Sequence, residues 1–161
     1  MAFAGSLKPF RLLFVCSGNI CRSPLAEAIF NSLAREAAVG PRFMVDSAGT
    51  HGLHEGDPAD PRPRRVGRRH GLSVDSIARP VVDGDFDRFD LIIAMDRSHE
   101  HELLARRGTR HAAAIRLMLD FDVGATDQDV PDPYYGAEDG FEALYSRLVP
   151  ACQGLLKTLC T

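Results

Sequence analysis

Val15-Cys16-Ser17-Gly18-Asn19-Ile20-Cys21-Arg22-Ser23-Pro24 is the stretch that decides how this chain is read. Before it, Phe10 to Val15 is a short apolar run broken only by Arg11, the pattern of a buried strand. After it, Ser23-Pro24 opens a helix, because proline is tolerated at the first helical position and a hydroxyl suits the cap before it. A tight loop between strand and helix turns successive backbone N–H groups toward one point and adds the positive end of the helix dipole. The natural occupant is a tetrahedral dianion. Gly18 and Asn19 make the loop feasible, since both tolerate the left-handed backbone that such a nest requires. The same field favours the thiolate form of Cys16, a standing nucleophile. Arg22 offers a planar fork that can grip two phosphoryl oxygens at once.

Outward from this loop, strands and helices alternate. Leu25, Ala28, Ile29 and Leu33 mark the inner face of the helix that leaves it. Arg42 to Ser47 predicts a second strand, Asp60 to His70 a helix with prolines at its start and Gly71 as its stop, and Asp90 to Met95 a fully buried third strand. Arg97 to Arg107 is helical and ends at Gly108, and Ile115 to Leu119 is a short fourth strand. Asp120 to Gly140 is a long polar segment rich in Asp, Gly and Pro, the kind of loop that carries function. A last helix follows, with Phe141, Leu144, Tyr145, Leu148, Cys152, Leu155, Leu156 and Leu159 on one stripe and a kink expected at Pro150. The fold class is therefore α/β: a single domain over residues 1–161, a mostly parallel four-stranded sheet with helices on both faces, and a phosphate-binding loop after the first strand. Ligands in such sheets bind at the carboxyl ends of the strands, where Cys16 lies.

Composition narrows the classes. A chain of 161 residues with 45% hydrophobic content can bury a full core. The net charge of -3, with no basic stripe bearing interleaved aromatics, argues against nucleic acid as a partner. Met1 to Lys8 holds no long apolar segment, so neither a signal peptide nor a membrane anchor is expected. Cysteines at 16, 21, 152 and 160 form neither a disulfide scaffold nor a zinc pattern, and the histidines show no ligand spacing, so no metal or organic cofactor is expected. A cytoplasmic setting fits best, and export without a signal peptide stays compatible. The arginines at 62, 64, 65, 68 and 69 read as a solvated helix face.

The loop, with Leu25-Ala26-Glu27 after it, resembles the phosphate loop and first helix of the low-molecular-weight protein tyrosine phosphatases. The resemblance recurs at Val45-Asp46-Ser47-Ala48-Gly49-Thr50, Asp57 to Arg62, His70-Gly71-Leu72, Leu91 to Asp96 and Asp132-Pro133-Tyr134-Tyr135-Gly136. It implies hydrolysis of phosphotyrosine through a phosphocysteine intermediate on Cys16, with phosphate and other oxyanions held by Ser17, Gly18, Asn19, Ile20, Cys21, Arg22 and Ser23. The reaction needs an acid for the departing phenolate. On chemistry alone Asp127, Asp129 and Asp132 all qualify. Only Asp132 sits in the Asp-Pro-Tyr-Tyr setting of the family. Tyr134 and Tyr135 flank the substrate ring in the resembled family and can be phosphorylated there, which implies a tyrosine kinase as a partner beside the tyrosine-phosphorylated protein substrates. Leu53 falls at its variable specificity wall.

Other roles follow from chemistry and resemblance together. Cys21 packs inside the loop or pairs reversibly with oxidised Cys16. Asp46 and Asp96 read as structural. Ser76 stands where many members carry a histidine that would orient Ser23. Three alternatives differ in requirement: arsenate reduction needs resolving cysteines near the loop, phosphoarginine hydrolysis favours a threonine where Ile20 stands, and a phosphopeptide-binding module would not need Cys16, Arg22 and Asp132 together.

Overall fold

The computed structural model describes residues 8–109, 113–137 and 139–161. Residues 1–7, which carry most of the amino-terminal expectation, lie outside these. Four strands form one parallel sheet: β1 Phe10–Cys16, β2 Phe43–Gly49, β3 Leu91–Ala94 and β4 Ala114–Leu117, in the order β2-β1-β3-β4. The central strand β1 pairs along its whole length with β2, from Phe10 opposite Phe43 to Cys16 opposite Gly49. Its alternation sorts the core into two layers. Leu12, Phe14 and Cys16 face one cluster with Leu25, Ile29, Phe30, Phe141 and Leu148, whereas Leu13 and Val15 face another with Phe86, Ile92 and Leu103.

Helices α1 (Arg22–Glu36), α2 (Pro61–Arg69) and α5 (Asp139–Cys160) contribute to the first layer, and α3 (Asp85–Arg88) with α4 (Arg97–Arg107) to the second. The fold class is as the sequence predicted. No helix among the described residues is long and apolar enough to cross a membrane.

The differences are local. α1 begins at Arg22 rather than after Ser23, with Cys21 as its cap and no side-chain cap bond, and the Ser23 hydroxyl inside its first turn meets Cys16 and Asn19. Its buried face is Leu25, Ala26, Ile29, Phe30 and Ala34, so Ala28 and Leu33 lie at the margin. The fourth strand stops at Leu117 and Met118–Phe121 is a 3-10 turn. α3 has only four residues, too few to carry a periodic signal. α5 runs through Pro150, which is exposed. At Gly154 of α5 the Phe121 carbonyl comes so near that any Cβ would collide with it.

Candidate active site

β1 ends at Cys16, and the chain turns through Ser17 to Cys21 directly into α1. Asn19 is the residue that takes the left-handed backbone, at φ 58°. Gly18 does not. Its need for a missing side chain is steric: a Cβ there would stand 2.9 Å from the His54 ring. The loop is tied from outside by backbone bonds, Thr50 N–H to Cys16 O at 2.8 Å and Asp60 N–H to Ile20 O at 2.9 Å.

The Cys16 sulfur lies 3.0 Å from Ser23 Oγ, itself held by Asn19 Nδ2 at 2.9 Å. Asn19 Oδ1 accepts the Arg79 N–H at 3.1 Å, and the Arg79 guanidinium spans Asp46 and the fully buried Asp85. Ser23 is therefore oriented through Asn19, which removes the need for an imidazole at 76. Ser76 Oγ is left buried and, among the described residues, without a hydrogen-bond partner, in a polar hollow shared with Glu27. The Glu27 carboxyl, bonded to Ser47 Oγ, is pushed up to about 7 mainly by burial.

Arg22 is almost fully buried. Its Nη1 donates to Asp96 Oδ2 at 2.9 Å and to the Val130 carbonyl at 3.0 Å, and its Nη2 lies 3.5 Å from Asp132 Oδ2. Asp96 is held below the usual carboxylate range, against its own burial, by the Ser98 hydroxyl, His99 and Arg22. Asp132 is partly exposed, with its Oδ1 accepting the Tyr134 N–H at 3.0 Å. The rival carboxylates are engaged elsewhere: Asp127 by Arg147 at 2.6 Å and Asp129 by Arg97 at 3.0 Å.

A cavity of about 250 Å³ brings these groups together. Cys16, Ser17, Gly18, Ile20, Cys21 and Arg22 form its floor, with Asp132, Tyr134, Tyr135, Leu53, His51 and His54 around it. Leu53 and Tyr135 are almost wholly exposed, whereas Tyr134 is half-buried and meets the Tyr135 ring edge-on. Cys21 is a protonated thiol at neutral pH, since burial and then Asp60 push it up to about 12. Asn19 and Ser23 lie behind the floor and brace it.

Sequence reasoning missed three contributors. Arg62 is no bystander on a solvated face: its guanidinium forks onto Asp60, donates to the Tyr134 carbonyl at 2.9 Å and lies over the Phe141 ring. Arg79 braces Asn19 as described. His99, buried in the first turn of α4, meets Ser17 Oγ at 2.8 Å. His99 left a trace in the sequence, because Asp96 and His99 stand three apart at a helix start, the spacing of a capping box.

The family model described as "Low molecular weight phosphotyrosine protein phosphatase" matches residues 11–161. A low molecular weight protein-tyrosine-phosphatase of Streptomyces coelicolor is 46% identical over 150 residues, covering 91% of this chain and 92% of its own. Among solved structures, a protein tyrosine phosphatase from Entamoeba histolytica with Hepes in its active site superposes with a TM-score of 0.90 at 46% identity, covering 93% of this chain and 96% of that one. The Drosophila arginine phosphatase DARP superposes with a TM-score of 0.87 at 32% identity, covering 93% and 98%.

Proposed function

The chain belongs to the low molecular weight phosphotyrosine protein phosphatase family, and from that premise we propose that it hydrolyses phosphotyrosine in protein substrates through a phosphoenzyme on Cys16. The observation that supports this reading best is the convergence of Cys16, Arg22 and Asp132 on one cavity, with no other carboxylate lining it among the described residues.

The Cys16 thiolate attacks phosphorus from the floor while the loop amides and Arg22 hold the equatorial oxygens. Ser23 Oγ donates to the sulfur and keeps its charge localised. As the P–O bond to the phenol breaks, Asp132 delivers its proton to the leaving oxygen. It then takes a proton from the water that attacks phosphocysteine, so phosphate leaves and the thiolate returns. Tyr134 and Tyr135 offer faces to the substrate ring, and Leu53 an aliphatic contact at the mouth. Of the two, the almost wholly exposed Tyr135 is the one a tyrosine kinase would reach first.

The likeness to an arginine phosphatase supports one rival. Ile20 separates the two, because an apolar side chain on the floor suits a flat aromatic ring and offers nothing to a guanidinium. For arsenate reduction, Cys152 is buried against the Ala26 carbonyl and neither it nor Cys160 lines the cavity.

The deciding experiment compares turnover of a phosphotyrosine peptide and a phosphoarginine peptide by the full chain and by Cys16→Ser. Phosphotyrosine is expected to dominate and Cys16→Ser to be inactive. Faster release from phosphoarginine, or turnover by Cys16→Ser, refutes the reading.

A further inference from the structure

Ser17 Oγ and His99 Nε2 are 2.8 Å apart, and which of them donates follows from the other side of the ring. His99 is the third residue of α4, and its Nδ1 accepts the backbone N–H of the Asp96 cap at 3.3 Å. Asp96 Oδ1 lies at a similar distance, 3.2 Å from Nδ1, but it already accepts from the N–H groups of Ser98 and His99 and from the Ser98 hydroxyl. The ring is neutral around pH 7, because burial depresses its pKa to about 4 against the pull of Asp96. A neutral imidazole carries one N–H. With the Nδ1 lone pair taken, that hydrogen is on Nε2, and it points at Ser17.

Ser17 Oγ is thus an acceptor toward His99, and its own proton must go elsewhere. Among the described residues no second partner of that hydroxyl appears, and Ser17 lines the cavity beside Cys16 and Arg22. We infer that His99 is a positioning residue whose tautomer, locked by the cap of α4, turns the Ser17 hydroxyl into a donor aimed at the oxyanion in the cavity. This rests on the phosphatase reading for its substrate, and on the hydrogen-bond geometry of a buried, neutral ring for its polarity. The physical gain is a donor oriented before the anion arrives, in place of a hydroxyl free to point back at its neighbour. The same Asp96 that caps the helix grips Arg22, so one residue sets the guanidinium through its carboxylate and, through its backbone N–H and the ring, the hydroxyl.

Two measurements on the full chain test this without turnover. A long-range 1H–15N spectrum of the parent protein is expected to show a pyridine-like Nδ1 and a pyrrole-like Nε2 on His99, and the opposite tautomer overturns the inference. Ser17→Ala is expected to weaken binding of inorganic phosphate, read by calorimetry, by about 10- to 100-fold, the range for losing a hydrogen bond to a charged group. Unchanged affinity overturns it. The double variant Ser17→Ala/His99→Ala is expected to bind phosphate no worse than Ser17→Ala, whereas His99→Ala alone weakens binding, because the ring acts through the hydroxyl; losses that add in the double variant refute the positioning role. A parent protein that fails on phosphotyrosine yet meets these expectations sinks the functional reading and leaves this one standing.

Discussion

Asp96 holds Arg22 from the start of a helix: Oδ2 accepts from Nη1 at 2.9 Å while Oδ1 caps α4. Helix order and guanidinium aim are thereby set by one side chain. A buried arginine that loses this carboxylate keeps its charge with only the longer 3.5 Å contact to the partly exposed Asp132, so the pairing matters more than a surface bridge would.

Asp96→Asn separates the two duties, because asparagine caps a helix about as well as aspartate but carries no charge. The cap is kept, but the buried Arg22 loses a charged partner, so melting temperature is expected to fall and kcat/KM on an aryl phosphate to fall about 10- to 100-fold, the scale of a lost charged hydrogen bond. A lower melting temperature with unchanged kcat/KM would show that Asp96 serves the fold alone.

Asp132→Asn tests the acid. A positioned acid contributes about 10²- to 10⁴-fold, and that help counts only for a basic leaving group. Phenyl phosphate is expected to suffer strongly, an ester of a low-pKa phenol much less, and Asp127→Asn and Asp129→Asn hardly at all, since their carboxylates face Arg147 and Arg97. Single-turnover phosphorylation across a leaving-group series measures this, and an unchanged dependence in Asp132→Asn moves the acid elsewhere.

Glu27 makes stability depend on pH. Its folded pKa of about 7 exceeds the ordinary 4.5, so the folded chain binds the extra proton between these values. Stability attributable to this group is full below pH 4.5, declines through the window, and is lost above pH 7. Glu27→Gln keeps an acceptor for Ser47 and removes the titration. Relative to the parent it is expected to gain on the order of 2 kcal/mol between pH 4.5 and 7.5. Denaturant melts at both values check it, and a difference that does not move with pH refutes the cause.

Peroxide offers a fourth test. Oxidation of Cys16 to the sulfenic acid lets Cys21 displace water and close a 16–21 disulfide, reversible by dithiothreitol. With Cys21 held protonated by burial and Asp60, closure is expected to be slow near neutrality and to quicken as pH rises. Mass spectrometry of samples quenched at several pH values reads it. A closure rate flat with pH rejects the thiol's control, and irreversible acids on Cys16 with Cys21 free reject the disulfide.

The loop from 16 to 23, the four strands and the long helices could be read along the chain because each is a local pattern. Strand pairs and helix faces repeat every two or every three to four residues, and caps and stops lie next to what they end. The bracing of the site obeys no such period. Arg79 meets Asp46 across 33 residues, Arg62 meets Tyr134 across 72, and Arg22 meets Val130 across 108. An arginine on a polar helix looks solvated until its partner is known. Gly18 erred the other way: glycine signalled a backbone angle, and the structure uses it to make room for His54.

Arg147, Arg97 and Arg62, on three different helices, hold Asp127, Asp129 and the Tyr134 carbonyl on either side of Asp132. Two of these three ties are exposed ion pairs, the kind that dissolved electrolyte weakens. The sulfur rests instead on Ser23 and Asn19, both buried and uncharged. The reaction machinery therefore divides by what the surrounding medium can reach. Brine loosens the group that gives the proton and leaves the group that makes the bond where it was.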